Sequence, residues 1–358
     1  MPGFDVDGSF LVEESSDGKY WILTFNNPLS LNVSELTLPV NCKYTLIGTV
    51  DGTAVTGTWK SSDETVALVN AQGTVTAKKA GKARITLTLK DSGFSASCTV
   101  TVIPLNLRAK MSTKGATLSW DTVQGVSNLR IEWKHSGDDY WTGKYVDYGT
   151  SFTDSAIKMG ESSTYRLVGS KDNIVLEELT IVFNPFSDVA SSGAAFRYVS
   201  WAYNNGVVTG TSDTTFTPSG NCTKVQFVMM LWKMHGSPVV GGTNPFSDIS
   251  GKKTTNAVLW ALDKGIINSG SKFNPNSSIS RSQIVMILWK LAGSPKAMGT
   301  NPFSDITDGS KLCKAVMWAY NNKITTGTSA TTFSPDKNCT RQQLVTFLYK
   351  YNNIYHVI

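Results

Sequence analysis

The hydrophobic rhythm of the chain changes near its midpoint. From residue 31 to 103, apolar and polar positions alternate with period two between turn signals, the pattern of strands with one buried face. Leu36-Thr-Leu38, Tyr44 to Ile47, Thr58 to Asp63, Val66 to Val69, Gly73 to Ala77, Ala83 to Leu89 and Cys98 to Val102 follow in order. A second strand series runs from Pro104 to about residue 183. Beyond that the spacing turns helical. Phe227-Val228 with Leu231-Trp232, Ile284-Val285 with Leu288-Trp289, and Leu344-Val345 with Leu348-Tyr349 each fall at i, i+1, i+4, i+5, one broad apolar helix face. Ahead of all this, Ser9 to Val12 and Lys19 to Phe25 flank Ser15-Ser-Asp-Gly18, a hairpin signal. A lone hairpin is unstable in water. Residues 1–30 are therefore expected to extend the neighbouring β-domain or to dock on another subunit through Phe10, Val12, Trp21, Leu23 and Phe25.

The helical half repeats itself three times. Phe186-Ser-Asp188, Phe246-Ser-Asp248 and Phe303-Ser-Asp305 open blocks that start 60 and 57 residues apart. A tryptophan follows 12 or 13 residues after each Asp (Trp201, Trp260, Trp318), then a loop ending in Phe-x-Pro (Phe216, Phe273, Phe333). Counting from that Phe, a basic residue stands 8 on (Lys224, Arg281, Arg341), a glutamine 10 on (Gln226, Gln283, Gln343) and an aromatic 16 on. Thr223, Ser280 and Thr340 with those glutamines spell capping boxes, which start the second helix of each unit. Gly206 and Gly265 end the first helix in units one and two, where unit three has Lys323. Asp188, Asp248 and Asp305 read as helix caps. One helical pair cannot bury such a face, so the units are expected to close on one another.

The basic residue after each cap is against the grain, because the macrodipole disfavours a cation in a first helical turn. Taken alone, any one of them reads as a solvated side chain on an exposed first turn. Three at equivalent positions point to a use, since a cation beside a helix N-terminus suits an anionic group.

These blocks resemble the S-layer homology domain, whose pattern is Phe-x-Asp, a Trp-Ala helix, a Gly-rich loop with Phe-x-Pro, and Ile-Thr-Arg-Ala-Glu. The last element reads here Cys222-Thr-Lys-Val-Gln226, Ile279-Ser-Arg-Ser-Gln283 and Cys339-Thr-Arg-Gln-Gln343. The resemblance implies one all-α, pseudo-threefold domain whose inter-repeat grooves hold a wall-linked polysaccharide, often bearing anionic pyruvate ketals. It carries the binding role to Lys224, Arg281 and Arg341, accompanied by Gln226, Gln283, Gln343 and the opening Asp188, Asp248 and Asp305. Gln stands where the family often has Glu, and repeat one has Lys for Arg, which cannot form a planar bidentate fork. Its groove is therefore expected to be the weaker or differently specific one. The Gly-containing loop of repeat two is two residues shorter.

Upstream, Trp59-Lys-Ser-Ser-Asp63, Val66-Ala-Leu-Val69, Gly73-Thr-Val-Thr-Ala77 and Gly81-Lys-Ala-Arg-Ile85 resemble a bacterial Ig-like domain of group 2, with Trp59 in the core. Leu118-Ser-Trp120, Leu129 to Trp133 and Tyr165 to Val168 resemble a fibronectin type III sandwich, with Tyr165 as a corner tyrosine. The expected architecture is two all-β sandwiches followed by the all-α domain: a docking segment 1–30, then 31–103, 104–183 and 184–358, with repeats 184–241, 242–298 and 299–358. Trp141, Tyr140, Tyr145 and Tyr148 crowd one stretch of the second sandwich, which reads as a packed edge, a protein interface or a sugar-binding strip.

Charge separates the halves. Residues from 184 onward carry 16 Lys plus Arg against 7 Asp and no Glu, a net of +9, whereas residues 1–183 have 17 basic and 20 acidic, a net of −3. The basic residues are spread through polar loops and no nucleic-acid motif is present, which favours a wall polymer over a nucleic acid. Cys222 and Cys339 sit where the middle repeat has Ile279, so both read as buried hydrophobes, and Cys42 and Cys98 could face each other as a disulfide. No metal-ligand spacing, cofactor motif or membrane-length apolar run occurs. The start Met-Pro-Gly-Phe-Asp-Val-Asp is unlike a leader, which suits a mature or truncated chain, another export route, or arrival at the wall on a phage particle.

A glycosidase needs two carboxylates framing the bond, and the helical half has no Glu, while the β-modules offer no nucleophile–His–acid set. The sequence thus predicts a non-enzymatic protein that binds an anionic cell-wall polysaccharide at the bacterial surface. Its alternative is a virion or surface-array protein that self-assembles through its N-terminal β-domains and presents the repeats to the host wall.

Overall fold

The computed structural model describes residues 10–25, 28–122, 129–146, 149–169 and 173–358. The chain divides into two compact units: one is built from residues up to Lys110 with Thr117–Asp154 and Ser162–Ile181, the other from Met111–Ala116, Ser155–Glu161 and Val182–Ile358.

The first unit is all β. Strands Phe10–Glu14 and Trp21–Phe25 pair antiparallel, Phe10 opposite Phe25 and Glu14 opposite Trp21. Ser15 turns the corner, its hydroxyl accepting from the Lys19 and Tyr20 amides and donating to Asp17. Among the described residues this hairpin is a two-stranded sheet of its own, not an extension of its neighbour.

In the Ig-like region the period-two pattern becomes burial. Ala83, Ile85 and Leu87 on strand Gly81–Thr88, with Cys98, Val100 and Val102 on Ser95–Ile103, point inward and are 0–2% exposed. Their sheet runs Glu35–Pro39, Ser95–Ile103, Gly81–Thr88, Thr58–Ser61, the first pair parallel with Leu36 beside Val100. A second sheet of Lys43–Thr45, Thr74–Ala77 and Ala67–Val69 supplies Leu46, Val75 and Ala77 to the same core, with Trp59 half-buried at its edge. Cys42 and Cys98 are not joined by a disulfide.

In the following β-region, Leu118, Trp120, Ile131, Tyr165 and Leu167 form the buried set, each at most 2% exposed. Four strands order as Thr142–Tyr145, Leu129–His135, Ser162–Gly169, Ile174–Val182. The Tyr165 hydroxyl donates to Asp154 Oδ2 at 2.7 Å.

The second unit holds six helices among the described residues: α1 (Phe196–Asn204), α2 (Lys224–Met234), α3 (Lys252–Asp263), α4 (Arg281–Leu291), α5 (Lys311–Asn321) and α6 (Arg341–Tyr355). The predicted apolar faces of α2, α4 and α6 are buried at every named position but Tyr349, which is half-buried. Packing is between repeats: α2 lies on α3, α4 on α5, and α6 on α1. The segments before the second helices are tied in a cycle. Cys222 N–H donates to Cys339 O, Cys339 N–H to Ile279 O, and Ile279 N–H to Cys222 O, at 2.9, 3.0 and 2.9 Å. Three further pairs repeat the pattern, as Lys224 N–H donates to Ser277 O, Arg281 N–H to Lys337 O and Arg341 N–H to Gly220 O. Cys222, Ile279 and Cys339 are at most 1% exposed, as their interchange predicts. Burial pushes the Cys222 thiol up to about 11 and the Cys339 thiol up to about 12. No helix among the described residues is long and apolar enough to cross a membrane.

The first helices end on a left-handed residue: Gly206 at φ 68°, Gly265 at 64° and Lys323 at 58°. A side chain at positive φ is strained where glycine is not. The left-handed conformation costs a side chain about 1–2 kcal/mol, and glycine's extra backbone entropy offsets about 0.5–1 kcal/mol of that. Lys323→Gly is therefore expected to raise the stability of this unit by about 0.5–1 kcal/mol, read as an upward shift of its urea midpoint at unchanged slope.

Candidate functional site

The three motif segments fold alike at their start. Thr223, Ser280 and Thr340 are N-caps whose hydroxyls accept from the Gln226, Gln283 and Gln343 amides, and each Gln side-chain oxygen accepts in return from the cap N–H at 3.0–3.1 Å. The predicted capping boxes are all present. They commit the glutamine oxygens to the helix start and leave their NH₂ groups to other partners.

The next residue departs from expectation. The sequence predicts exposed first-turn cations at Arg281 and Arg341, yet each is only 6% exposed. Arg281 Nε donates to Phe333 O at 2.9 Å and its terminal nitrogen to Thr325 Oγ1 at 3.1 Å, both in repeat three. Arg341 Nε donates to Phe216 O at 2.8 Å and a terminal nitrogen to Thr209 O at 3.0 Å, both in repeat one. The guanidiniums also lie over aromatic rings, Arg281 4.7 Å from the Phe333 centroid and Arg341 4.5 Å from that of Phe216. Burial lowers both below the usual arginine value, which leaves them charged at neutral pH. Each arginine thus fastens its own helix to the Phe-x-Pro loop of another repeat.

The opening aspartates also do something other than expected. They are not helix caps. Asp188 accepts from the amides of Phe216 and Thr217, Asp248 from Phe273 and Asn274, and Asp305 from Phe333 and Ser334, all at 2.7–2.8 Å. In each pair the second residue is left-handed, with φ of 57°, 60° and 58° for Thr217, Asn274 and Ser334. The carboxylates hold a strained turn whose carbonyl side the arginines grip in two of the three cases. The Phe273 amide above all keeps the Asp248 carboxyl below its ordinary range.

Lys224 is the exception. It is half-buried, and among the described residues its ammonium has no hydrogen-bond or ion-pair partner. It borders a cavity of 320 Å³ between repeats one and two, walled by Val228, Ile266, Met286 and Ile287 and edged by Lys272, Lys290, Asn268 and Gln283. The structure therefore brings Lys224 and Gln283 to one cavity, while Arg281, Arg341 and the three aspartates are engaged in holding loops.

The tryptophans are structural. Trp260 is 1% exposed and lies 5.2 Å from the His235 ring, and Trp232 and Trp289 donate to the carbonyls of Pro238 and Pro295, fixing the Gly-Ser-Pro turns that end α2 and α4. In repeat three Tyr349 replaces that tryptophan, and the Arg197 guanidinium donates to its hydroxyl.

In the β-region, Tyr140 is 83% and Tyr145 59% exposed, and Tyr148 lies outside the described residues. Arg166 sits 3.8 Å over the Trp141 ring, and Arg130 and Arg166 both bond Glu132, so the Trp141 face is already covered by a guanidinium. Contrary to the sequence reading, a Ser–His–Asp set does assemble there. His135 Nδ1 is 2.7 Å from Ser163 Oγ and Nε2 3.4 Å from Asp154. Ser163 is only 1% exposed, so its hydroxyl is buried.

Comparison with known proteins agrees with the residue patterns. The bacterial Ig-like domain (group 2) pattern matches residues 40–100, and the S-layer homology domain pattern matches 185–228, 245–285 and 302–345. An endoglucanase of Bacillus sp. strain KSM-635 is 29% identical over 189 residues, covering 48% of this chain and 20% of that protein. An alpha-L-arabinofuranosidase of Bifidobacterium longum is 31% identical over 185 residues, covering 42% of this chain and 17% of that protein. The chain thus spans about a fifth of the length of these relatives. Domains 5–6 of the S-layer protein SbsC, a solved structure 12% identical, align over 49% of this chain and 99% of that one with a TM-score of 0.19. Residues 31 to 358 contain a group 2 bacterial Ig-like domain followed, after a second β-region, by three S-layer homology repeats.

Proposed function

We propose that residues 184–358 form one pseudo-threefold domain that binds an anionic secondary cell-wall polysaccharide without catalysis, and that the upstream β-regions, the second of fibronectin type III kind, act as spacer or assembly modules. The S-layer homology repeats support association with the cell surface or wall; the wall polymer as ligand and the absence of turnover are our reading. The single observation that carries it is the cavity at Lys224, edged by three lysines and no carboxylate, in a region of net charge +9. The closed cycle of backbone bonds through Cys222, Ile279 and Cys339 supports one domain rather than three beads.

The test is retention of the full chain by purified wall sacculi before and after acid removal of the non-peptidoglycan polymer. Binding that disappears with the polymer is the expected result. Retention by both samples, or by neither, or release of soluble sugar during incubation, refutes it.

A second reading has its own observation. The hairpin Phe10–Glu14 and Trp21–Phe25 pairs with no other strand among the described residues. That suits a docking element through which a surface array or phage particle assembles while the repeats face the wall. Loss of oligomers on deletion of residues 1–30, with wall retention intact, would favour it.

A further inference from the structure

We propose that the motif cation has two different jobs in this domain, so that only the groove between repeats one and two is open to an anion, and that lysine at position 224 is what keeps it open. This rests on the wall-binding reading above.

The reasoning starts from side-chain shape. In α4 and α6 a planar guanidinium bonds the Phe-x-Pro carbonyl through Nε, reaches a second oxygen through a terminal nitrogen and stacks on the Phe ring. These contacts bridge neighbouring repeats. Lysine has one nitrogen at the end of a flexible stem and cannot make this set. The Phe273 carbonyl accordingly goes ungripped, and the 320 Å³ cavity stands in its place.

The shorter loop of repeat two adds to the difference. Its Ser271 carbonyl accepts from Ser247, as Thr214 and Thr331 accept from Ser187 and Ser304, which aligns Lys272 with Thr215 and Thr332. Those threonines are tied to Ser212 and Ser329 within their own loops, whereas Lys272 is exposed at the cavity edge. The loop that Arg341 grips is held a second time within the same compact unit. Thr113 N–H donates to Asp213 O and Lys114 pairs with Asp213 at 2.7 Å, where repeat three has Ala330.

Chemistry then defines the ligand class. Lys224, Lys272 and Lys290 supply positive charge, Asn268 and Gln283 supply hydrogen bonds, and Ile266 and Met286 supply an apolar wall. This suits a saccharide carrying a carboxylate or phosphate beside an apolar patch. The sequence predicts the lysine groove to be the weaker or differently specific site; on this proposal it is the one that binds.

Lys224→Arg keeps the charge and separates this proposal from simple electrostatics. In the full chain it is expected to reduce retention on polymer-bearing sacculi at least tenfold while leaving the thermal midpoint unchanged or raised. Arg281→Lys removes the guanidinium contacts between repeats two and three, so it is expected to lower the midpoint and to bind no more weakly than the parent at a temperature where both are folded. Lys272→Thr, a loop change that leaves the packing alone, is expected to weaken retention several-fold. Parent-like retention of Lys224→Arg, or loss of retention in folded Arg281→Lys, overturns the single open groove. A parent protein that sacculi do not retain overturns instead the wall reading on which it rests.

Discussion

Arg341→Ala is expected to destabilise the helical region by about 3 kcal/mol, although the residue begins a helix and carries a charge. Its removal leaves the carbonyls of Phe216 and Thr209 without these donors and opens a hole beside the Phe216 ring. An unsatisfied buried acceptor costs about 1–3 kcal/mol, and the cavity adds to that. For a region of this size 1 kcal/mol corresponds to about 2–4 °C. The midpoint should therefore fall by roughly 6–12 °C, read from the near-ultraviolet circular dichroism of the full chain. A shift under 2 °C would show that the buried guanidinium is not a fastening.

Trp260→Ala carries the other large effect. The ring is 1% exposed on α3, packed on α2 and against His235. Truncating a buried tryptophan costs about 3–5 kcal/mol, a large share of the 5–15 kcal/mol that typical domains possess. Loss of the native tryptophan fluorescence of the helical region at 37 °C is the expected outcome. Near-parental melting would mean that the site collapses around the gap.

What the sequence disclosed and what it withheld divide along chain distance. The capping boxes at Thr223, Ser280 and Thr340 were legible because donor and acceptor lie three residues apart. The faces of α2, α4 and α6, and the alternation in Gly81–Thr88, were legible because period alone decides which side is buried. The fate of Arg281 and Arg341 was not. Local reasoning from the helix dipole made them exposed and free, while their partners stand 44 to 132 residues away in other repeats. The same holds for the aspartates, whose partners are amides 25 to 29 residues on. One signal was present: only repeat one departs from arginine, and only repeat two shortens its loop. Both departures meet at the same cavity.

The cycle that joins the three repeats also sets an order of events during synthesis. Repeat one leaves the ribosome first, yet Phe216 waits for Arg341, 125 residues later. At typical elongation speeds of about 5–20 residues per second, that interval lasts roughly 6–25 s. Throughout it the side of α1 destined for α6 is bare, and the final repeat of any neighbouring nascent chain presents the same complementary surface. Crowded polysomes should therefore favour exchanged dimers, in which the last repeat of each molecule completes the ring of the other.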